Sequence, residues 1–381
     1  MMGEVTWALL PQDLMVLIFS RFPIPSLIKL KVVCKQWNTI ISSIGTAFRR
    51  NTTIVPVSST PAFIVELRYV SFWNRPITIF TTTLWMVEGQ KCNFYRLPLD
   101  FFPTSVNVIA ACKSIVLCCK HNGLKESPAM YVCNPVTKSW RQLPSPSCLK
   151  WWDFVALSFD SAARQCKVLL GRGFIKGELQ SDMEIEMYDS SASSWTKLHI
   201  STATAPVCPR GEGNYHKGRF YWINANNNRS TNGDVVGFNV QERSWHIIQR
   251  PGDGEMGREV PISWCLSGVD GRLMLVYKYK GVSLWRMEED CGDESKMKWV
   301  AESRTNESGI RNETWPLAAV NESGWSLVYL PKKNGMVVLD EQGKMVRRIE
   351  IKELKEMKMV GDDGTSPSSL RAFEANNVWW P

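Results

Sequence analysis

Tyr131-Val-Cys-Asn134-Pro-Val-Thr-Lys-Ser-Trp140-Arg-Gln-Leu143 reads as two short strands joined by a polar turn, with a large aromatic residue at the head of the second. Asn and Asp bond their own backbone in turns, and aromatics suit a pleated, half-buried surface, so the phrase is a hairpin signal. It returns at Met187 to Leu198, with Asp189 and Trp195, and at Gly237 to Ile248, with Asn239 and Trp245. The three tryptophans stand 55 and 50 residues apart. A stretched copy runs from Leu284-Trp285 through an acidic insertion, Glu288 to Glu294, to Trp299. A degenerate copy joins Leu84-Trp85 to Phe94-Tyr95-Arg-Leu97, and a last one spans Val337 to Ile349 with Val346 in the place of the tryptophan.

A second hairpin-like segment precedes the later copies: Val106 to Cys119, Val155 to Gly171, Asn214 to Asn224, Leu266 to Tyr279 and Leu317 to Leu330. Turn signals such as His216-Lys-Gly218, Val269-Asp-Gly271 and Asn321-Glu-Ser-Gly324 divide their apolar alternations. Two hairpins per unit make four strands in a period of about 50 residues, the pattern of a β-propeller, whose units cannot bury their own faces alone. About six four-stranded blades are expected. The repeated tryptophans read as blade-to-blade packing residues. The tail near Leu370 to Phe373 is expected to return to the first blade and protect its edge. Ile351 to Met359 reads equally as a charged strand or a short helix.

Ahead of the repeats the pattern is helical. In Leu10 to Ile44, LPQDLMVLIFSRFPIPSLIKLKVVCKQWNTIISSI, apolar residues recur at three and four: Leu14, Leu17, Ile18 and Phe22, then Leu27, Leu30, Val33, Cys34, Trp37 and Ile41. Pro11 suits a first helical position and Asp13 the positive end of the helix dipole. Phe22-Pro23-Ile24-Pro25 breaks the pattern, and Ser26 can cap a second helix. About 35 residues bury too little to stand alone, so a partner or the rest of the chain must cover these side chains.

Composition excludes several functions. The formal charge of +8 comes from 45 basic and 37 acidic residues scattered along the chain, not gathered in the stripe a nucleic-acid binder needs. Lys29, Lys31 and Lys35 form a small cluster that would steer an acidic partner. Eleven cysteines without a CxxC pair fit buried thiols in a reducing compartment. No secretory leader and no apolar run of about 18 residues is legible, so no membrane association and an intracellular location, nucleus and/or cytoplasm, are expected. The N-x-S/T sequons at Asn51, Asn228, Asn306, Asn312 and Asn321 then carry no weight. Gly252-Asp-Gly254-Glu-Met-Gly257 lacks the strand and helix of a dinucleotide site and reads as a loop. His121, His199, His216 and His246 fall in different repeats without metal-ligand spacing, no G-x-S-x-G occurs, and Cys118-Cys119 on an apolar strand reads as inert core. No cofactor, metal or catalytic activity is expected.

The ordered elements Leu10-Pro11, Leu14/Ile18, Phe22-Pro23, Leu27 and Leu30, Val33-Cys34-Lys35, Trp37 and Ile41 resemble the F-box, with Phe22 where that family places Leu or Ile. The repeats resemble degenerate kelch repeats that keep single glycines, such as Gly218 and Gly271, in place of the double glycine. Together they resemble plant F-box proteins with a kelch-like or F-box-associated C-terminal domain. The resemblance implies a small all-α F-box at residues 4–50, a linker at 51–61 and an all-β kelch-like propeller at 62–381. It further implies docking onto a Skp-family adaptor, and through it cullin and RING subunits, by Leu10, Pro11, Leu14, Ile18, Pro23, Leu27, Leu30, Val33, Cys34 and Trp37. The chain would be the non-catalytic substrate-recognition subunit of a ubiquitin ligase. Its target protein would sit on propeller loops, where Trp151, Trp152, Arg229 and Trp315 are candidate anchors; Trp151 and Trp152 read equally as blade core. The alternative is a propeller scaffold without a ligase role.

Overall fold

In a computed structural model of the chain, the three clearest Asn/Asp-to-Trp phrases are hairpins in one register. Cys133 pairs with Trp140, Tyr188 with Trp195 and Phe238 with Trp245, and one step nearer the turn Asn134, Asp189 and Asn239 each face a serine. Asp189 Oδ1 accepts the Ser191 N–H at 2.8 Å, and Asn239 Oδ1 accepts those of Gln241 and Glu242 at 3.0 and 3.2 Å. The residue that re-enters the strand is left-handed each time: Lys138 (φ 57°), Ser193 (51°) and Arg243 (53°). The side-chain acceptor starts the turn and the left-handed residue ends it, so the sequence phrase is the local geometry.

The structure describes residues 10–19, 22, 27, 30–47, 60–69, 78–87, 91–95, 101–102, 106–120, 128–135, 138–147, 152–160, 162–176, 180–198, 207–224, 234–251, 263–269, 272–278, 282–290, 293–305, 318–320, 326–330, 335–339, 345–350 and 366–375. Ile351 to Met359 and the Gly252 to Gly257 motif lie outside them. Within them, β1 (Thr60–Tyr69), β2 (Thr78–Val87) and β3 (Lys91–Tyr95) begin the first sheet. A second comprises β4 (Asn107–Cys112), β5 (Ile115–Lys120), β6 (Ala129–Asn134) and β7 (Ser139–Gln142). Two meanders follow: β8 (Phe154–Asp160), β9 (Gln165–Lys176), β10 (Gln180–Asp189) and β11 (Ser194–Leu198), then β12 (Gly211–His216), β13 (Arg219–Ile223), β14 (Val235–Asn239) and β15 (Ser244–Ile248). They merge into one eight-stranded sheet because β8 and β12 pair in parallel, Phe154 opposite Gly211 and Ala156 opposite Gly213. Two more four-stranded sheets are β16 (Ser263–Val269), β17 (Arg272–Lys278), β18 (Val282–Asp290) and β19 (Asp293–Thr305), and β20 (Ala318–Val320), β21 (Ser326–Leu330), β22 (Gly335–Leu339) and β23 (Met345–Glu350).

The expected preceding hairpins are β4–β5, β8–β9, β12–β13, β16–β17 and β20–β21. The tail returns as expected: β24 (Ser366–Ala375) lies antiparallel to β1, Leu370 opposite Val65 and Phe373 opposite Ala62. It supplies the edge strand of the first sheet. β24, β4, β8, β12, β16 and β20 touch one another in that order, and β20 returns to β24.

Cores lie between sheets. Along β8, Val155, Leu157 and Phe159 join a cluster with Ala110, Leu117 and Val132 of the preceding sheet, while Phe154 and Ala156 join one with Phe220, Trp222 and Phe238 of the following meander. A strand buried on both faces has no polar side to alternate with, which explains the unbroken Phe154-Val-Ala-Leu run. Trp195 and Trp245 fill the roles expected of them. Trp195 donates from Nε1 to the Pro144 carbonyl at 2.7 Å, and Trp245 packs 6.2 Å from the Phe154 ring, so each joins neighbouring units. Trp140 departs from that reading: it packs beside Phe102 and Tyr131 but keeps 40% of its surface exposed. Three glycines mark where rings lie flat on a neighbouring strand. A Cβ on Gly171 would overlap the Phe154 ring, one on Gly213 the Trp222 ring, and one on Gly237 the His246 ring.

Candidate functional site

The helical segment contains α1 (Gln12–Phe19) and α2 (Lys35–Ala47). Pro11 stands one residue ahead of α1, its carbonyl accepting the Met15 N–H at 3.1 Å, and Asp13 lies in the first turn. Cys34 takes the N-cap position of α2. Its Sγ accepts the Trp37 N–H at 3.4 Å and its carbonyl the Asn38 N–H at 3.0 Å, satisfying donors that the first helical turn leaves open.

Met15, Phe19, Leu27, Ile40 and Ile41 form the buried centre of this segment, with Leu10, Val16, Leu30 and Trp37 packed partly against it. Trp37 meets Phe19 edge-on at 5.0 Å. Met15 and Phe19, four apart, turn inward; Leu14 and Leu17, three apart, turn outward, 47% and 44% exposed. Phe22 (39%), Val32 (85%) and Val33 (58%) are also exposed, so this small helical unit carries a set of exposed apolar side chains.

The expected docking residues therefore divide. Pro11, Leu14, Val33 and Cys34 are exposed; Leu10, Ile18, Leu30 and Trp37 are half-buried; Pro23 lies outside the described residues. Leu27 is corrected: at 2% exposure it belongs to the centre of the segment, where it holds the helices together and offers no surface. Leu17, part of the sequence stripe but not of the docking set, is outside, and so is Val32, whose only sequence signal was an apolar residue beside Val33.

On the propeller, Trp152 takes up the core side of its two readings while staying half-buried. It packs partly against the cluster of Ala110, Val155 and Tyr188, while Trp151, Arg229 and Trp315 lie outside the described residues. Burial, and then Cys118, push the Cys119 thiol up to about 12, and burial pushes Cys166 up to about 12. Neutral, enclosed thiols are poor nucleophiles. A thiol reagent applied to the native chain should label exposed Cys34 and spare Cys119 and Cys166 until denaturant is added; mass mapping that finds Cys119 modified in the native state would contradict their burial.

A short helical unit with exposed apolar side chains, followed by sheets of four-stranded meanders arranged around shared cores, defines a two-part protein built on a β-propeller. The chain belongs to the F-box-associated β-propeller family: residues 94–374 match the F-box associated beta propeller domain, and residues 7–47 match the F-box domain. An F-box/kelch-repeat protein of Arabidopsis thaliana is 30% identical over 207 residues, covering 50% of this chain and 46% of that one. F-box only protein 6 of the same plant is 28% identical over 51% of this chain and 38% of its own length. A putative F-box/kelch-repeat protein of that plant is 24% identical over 333 residues, 81% of this chain and 76% of the relative. The chain thus spans less than half the length of the first two relatives.

Proposed function

We propose that this chain is the non-catalytic substrate-recognition subunit of a Skp-cullin-F-box ubiquitin ligase. Residues 4–50 dock a Skp-family adaptor and through it the cullin and RING subunits, a linker follows, and the chain from the start of β1 at Thr60 onward forms a six-bladed, kelch-like propeller that holds a target protein. Six first strands in cyclic contact, one supplied by the C-terminal tail, support that blade number. The complex works in the nucleus or cytoplasm. Its chemistry is positional: holding the target beside a loaded conjugating enzyme raises effective concentration, so the chain needs no reactive group of its own.

One observation carries the reading. Leu14, Leu17, Phe22, Val32 and Val33 remain exposed on a unit whose own centre is already filled by Met15, Phe19, Leu27, Ile40 and Ile41. An exposed apolar set on so small a unit marks a protein interface. The variant carrying Leu14→Asp, Leu17→Asp and Val33→Asp should lose capture by a purified Skp-family adaptor on the order of 100-fold or more, because each carboxylate would be buried unpaired at the interface. Its thermal unfolding should stay that of the natural chain. Undiminished adaptor capture by this variant would remove the basis of the proposal.

A further inference from the structure

Among the described residues, six non-glycine residues have positive φ, and five of them are basic: Lys113 (51°), Lys138 (57°), Arg164 (53°), Lys217 (44°) and Arg243 (53°), with Ser193 (51°) the sixth. Left-handed backbone favours Gly, and among side-chain-bearing residues Asn and Asp, because the Cβ crowds the following carbonyl. Long basic side chains hold these turns against the local preference, and such positions tend to serve something other than folding.

Strand direction puts the turns on one face. In an antiparallel meander, the turn between the first and second strands and that between the third and fourth lie at the same end. Lys113, Arg164 and Lys217 occupy the first kind, in β4–β5, β8–β9 and β12–β13; Lys138, Ser193 and Arg243 occupy the second, in β6–β7, β10–β11 and β14–β15. The parallel pairing of β8 with β12 points two meanders the same way. Arg141 Nη2 donates to Ser193 Oγ at 3.2 Å, which sets the β4–β7 turns beside those of β8–β11.

Carboxylates on this face are engaged with their own loops. Asp160 Oδ1 accepts the Ala162 and Ala163 N–H groups at 2.9 and 3.0 Å, Asp189 Oδ1 accepts from Ser191 while its Oδ2 lies 3.6 Å from Lys167 Nζ, and Glu242 Oε2 accepts from Ser244 Oγ at 3.1 Å. Asp189 is paired with Lys167 and Asp160 lies in the field of Lys113, while Lys113, Lys138, Arg164, Lys217 and Arg243 set five basic residues in the turns of these three meanders. Trp140 and Tyr215, each 40% exposed, lie two residues from Lys138 and Lys217.

We propose that the basic turn face of the β4–β15 meanders is the target-holding surface, and that it takes an acidic peptide segment of the partner protein. This rests on the substrate-receptor reading above. Dispersed cations beside exposed aromatics suit a short acidic segment with an apolar anchor, whereas a nucleic-acid duplex requires a continuous positive stripe.

The left-handed backbone makes the test clean, since Asn at these positions removes the charge and suits the turn. Anisotropy of a labelled Glu/Asp-rich peptide carrying one tryptophan, titrated with the full chain, should report binding that weakens as salt rises. The variant with Lys113→Asn, Lys138→Asn, Lys217→Asn and Arg243→Asn should bind about tenfold more weakly, with an unfolding temperature equal to or above the natural one. Arginine for lysine at the first three sites should retain binding. Absent binding of the acidic peptide, equal binding by the Asn variant, or tighter binding of single-stranded RNA than of the peptide would each overturn the proposal. Adaptor capture measured on the same proteins separates the two readings: a natural chain that binds the peptide but not the adaptor sinks the ligase role alone, and one that captures the adaptor but ignores the peptide sinks only this surface.

Discussion

A chain ending before Ser366 is expected to lose its cooperative unfolding transition and to associate in solution. β24 runs along β1 from Thr60 opposite Ala375 to Arg68 opposite Ser366, so its removal strips one edge of the first sheet of its partner. The same strand touches both β20 and β4, the last and the second in the sequence of first strands, so its loss also opens the cycle at that point. Backbone hydrogen bonds are worth about 0.5–1.5 kcal/mol each, so losing a whole ladder removes several kcal/mol, a large part of the roughly 5–15 kcal/mol that holds a domain. The bared edge of β1 is then a template for pairing with another chain. Circular dichroism melts and size-exclusion chromatography of the truncated chain test this; a monomer that melts as the full chain does would mean that closure by the tail contributes little.

Trp222→Ala should destabilise the chain by about 3–5 kcal/mol, the range for deleting a buried aromatic ring. Trp222, on β13, is fully buried, with ring centroids of Phe154 at 5.2 Å, Trp245 at 5.8 Å and Phe220 at 6.0 Å. Its Nε1 donates to the Val155 carbonyl of β8 at 3.1 Å, so one side chain both fills the space between two meanders and ties them. Truncation would leave a cavity and a buried carbonyl without that donor. Trp222→Phe, which keeps a ring and loses the donor, should fall between. Gly213→Ala attacks the same contact from the opposite strand, because its Cβ would occupy the space of the indole. Denaturant titration followed by circular dichroism measures all three; a Trp222→Ala midpoint within error of the natural chain would show that the ring carries none of this packing.

Much of the sheet architecture was legible because it is local. The Asn/Asp that opens a turn, the residue that closes it and the tryptophan across from the strand end are near neighbours in sequence, so the hairpin can be read wherever the phrase survives. Trp222 was not legible in the same way. It stands outside the repeated phrase, and only the approach of β8 to β12 makes it the largest fully buried side chain described. The glycines under aromatic rings were hidden for the same reason: single glycines look like turn or bulge signals until the ring above them is known.

The helical unit shows the boundary most sharply. Helix α1 reads QDLMVLIF, apolar on almost every side, and periodicity alone assigns no inward face. Packing against Leu27, Ile40 and Ile41 drew Met15 and Phe19 in and left Leu14 and Leu17 out, and it took Leu27 from the surface into the centre. Cys34 carries no helix-start signal of the usual kind, yet its sulfur caps α2. By itself, then, the sequence determined the order of elements, the turn-and-tryptophan phrase of the hairpins and the two-part division of the chain, since each rests on spacing along one strand or helix; the tail's return to β1 was expected from the need to protect an edge, and its pairing joins the two ends of the propeller. Which apolar side chains are spent inside and which are left for a partner, and which cations share one face, were decided only in three dimensions, where residues far apart in the chain compete for the same space.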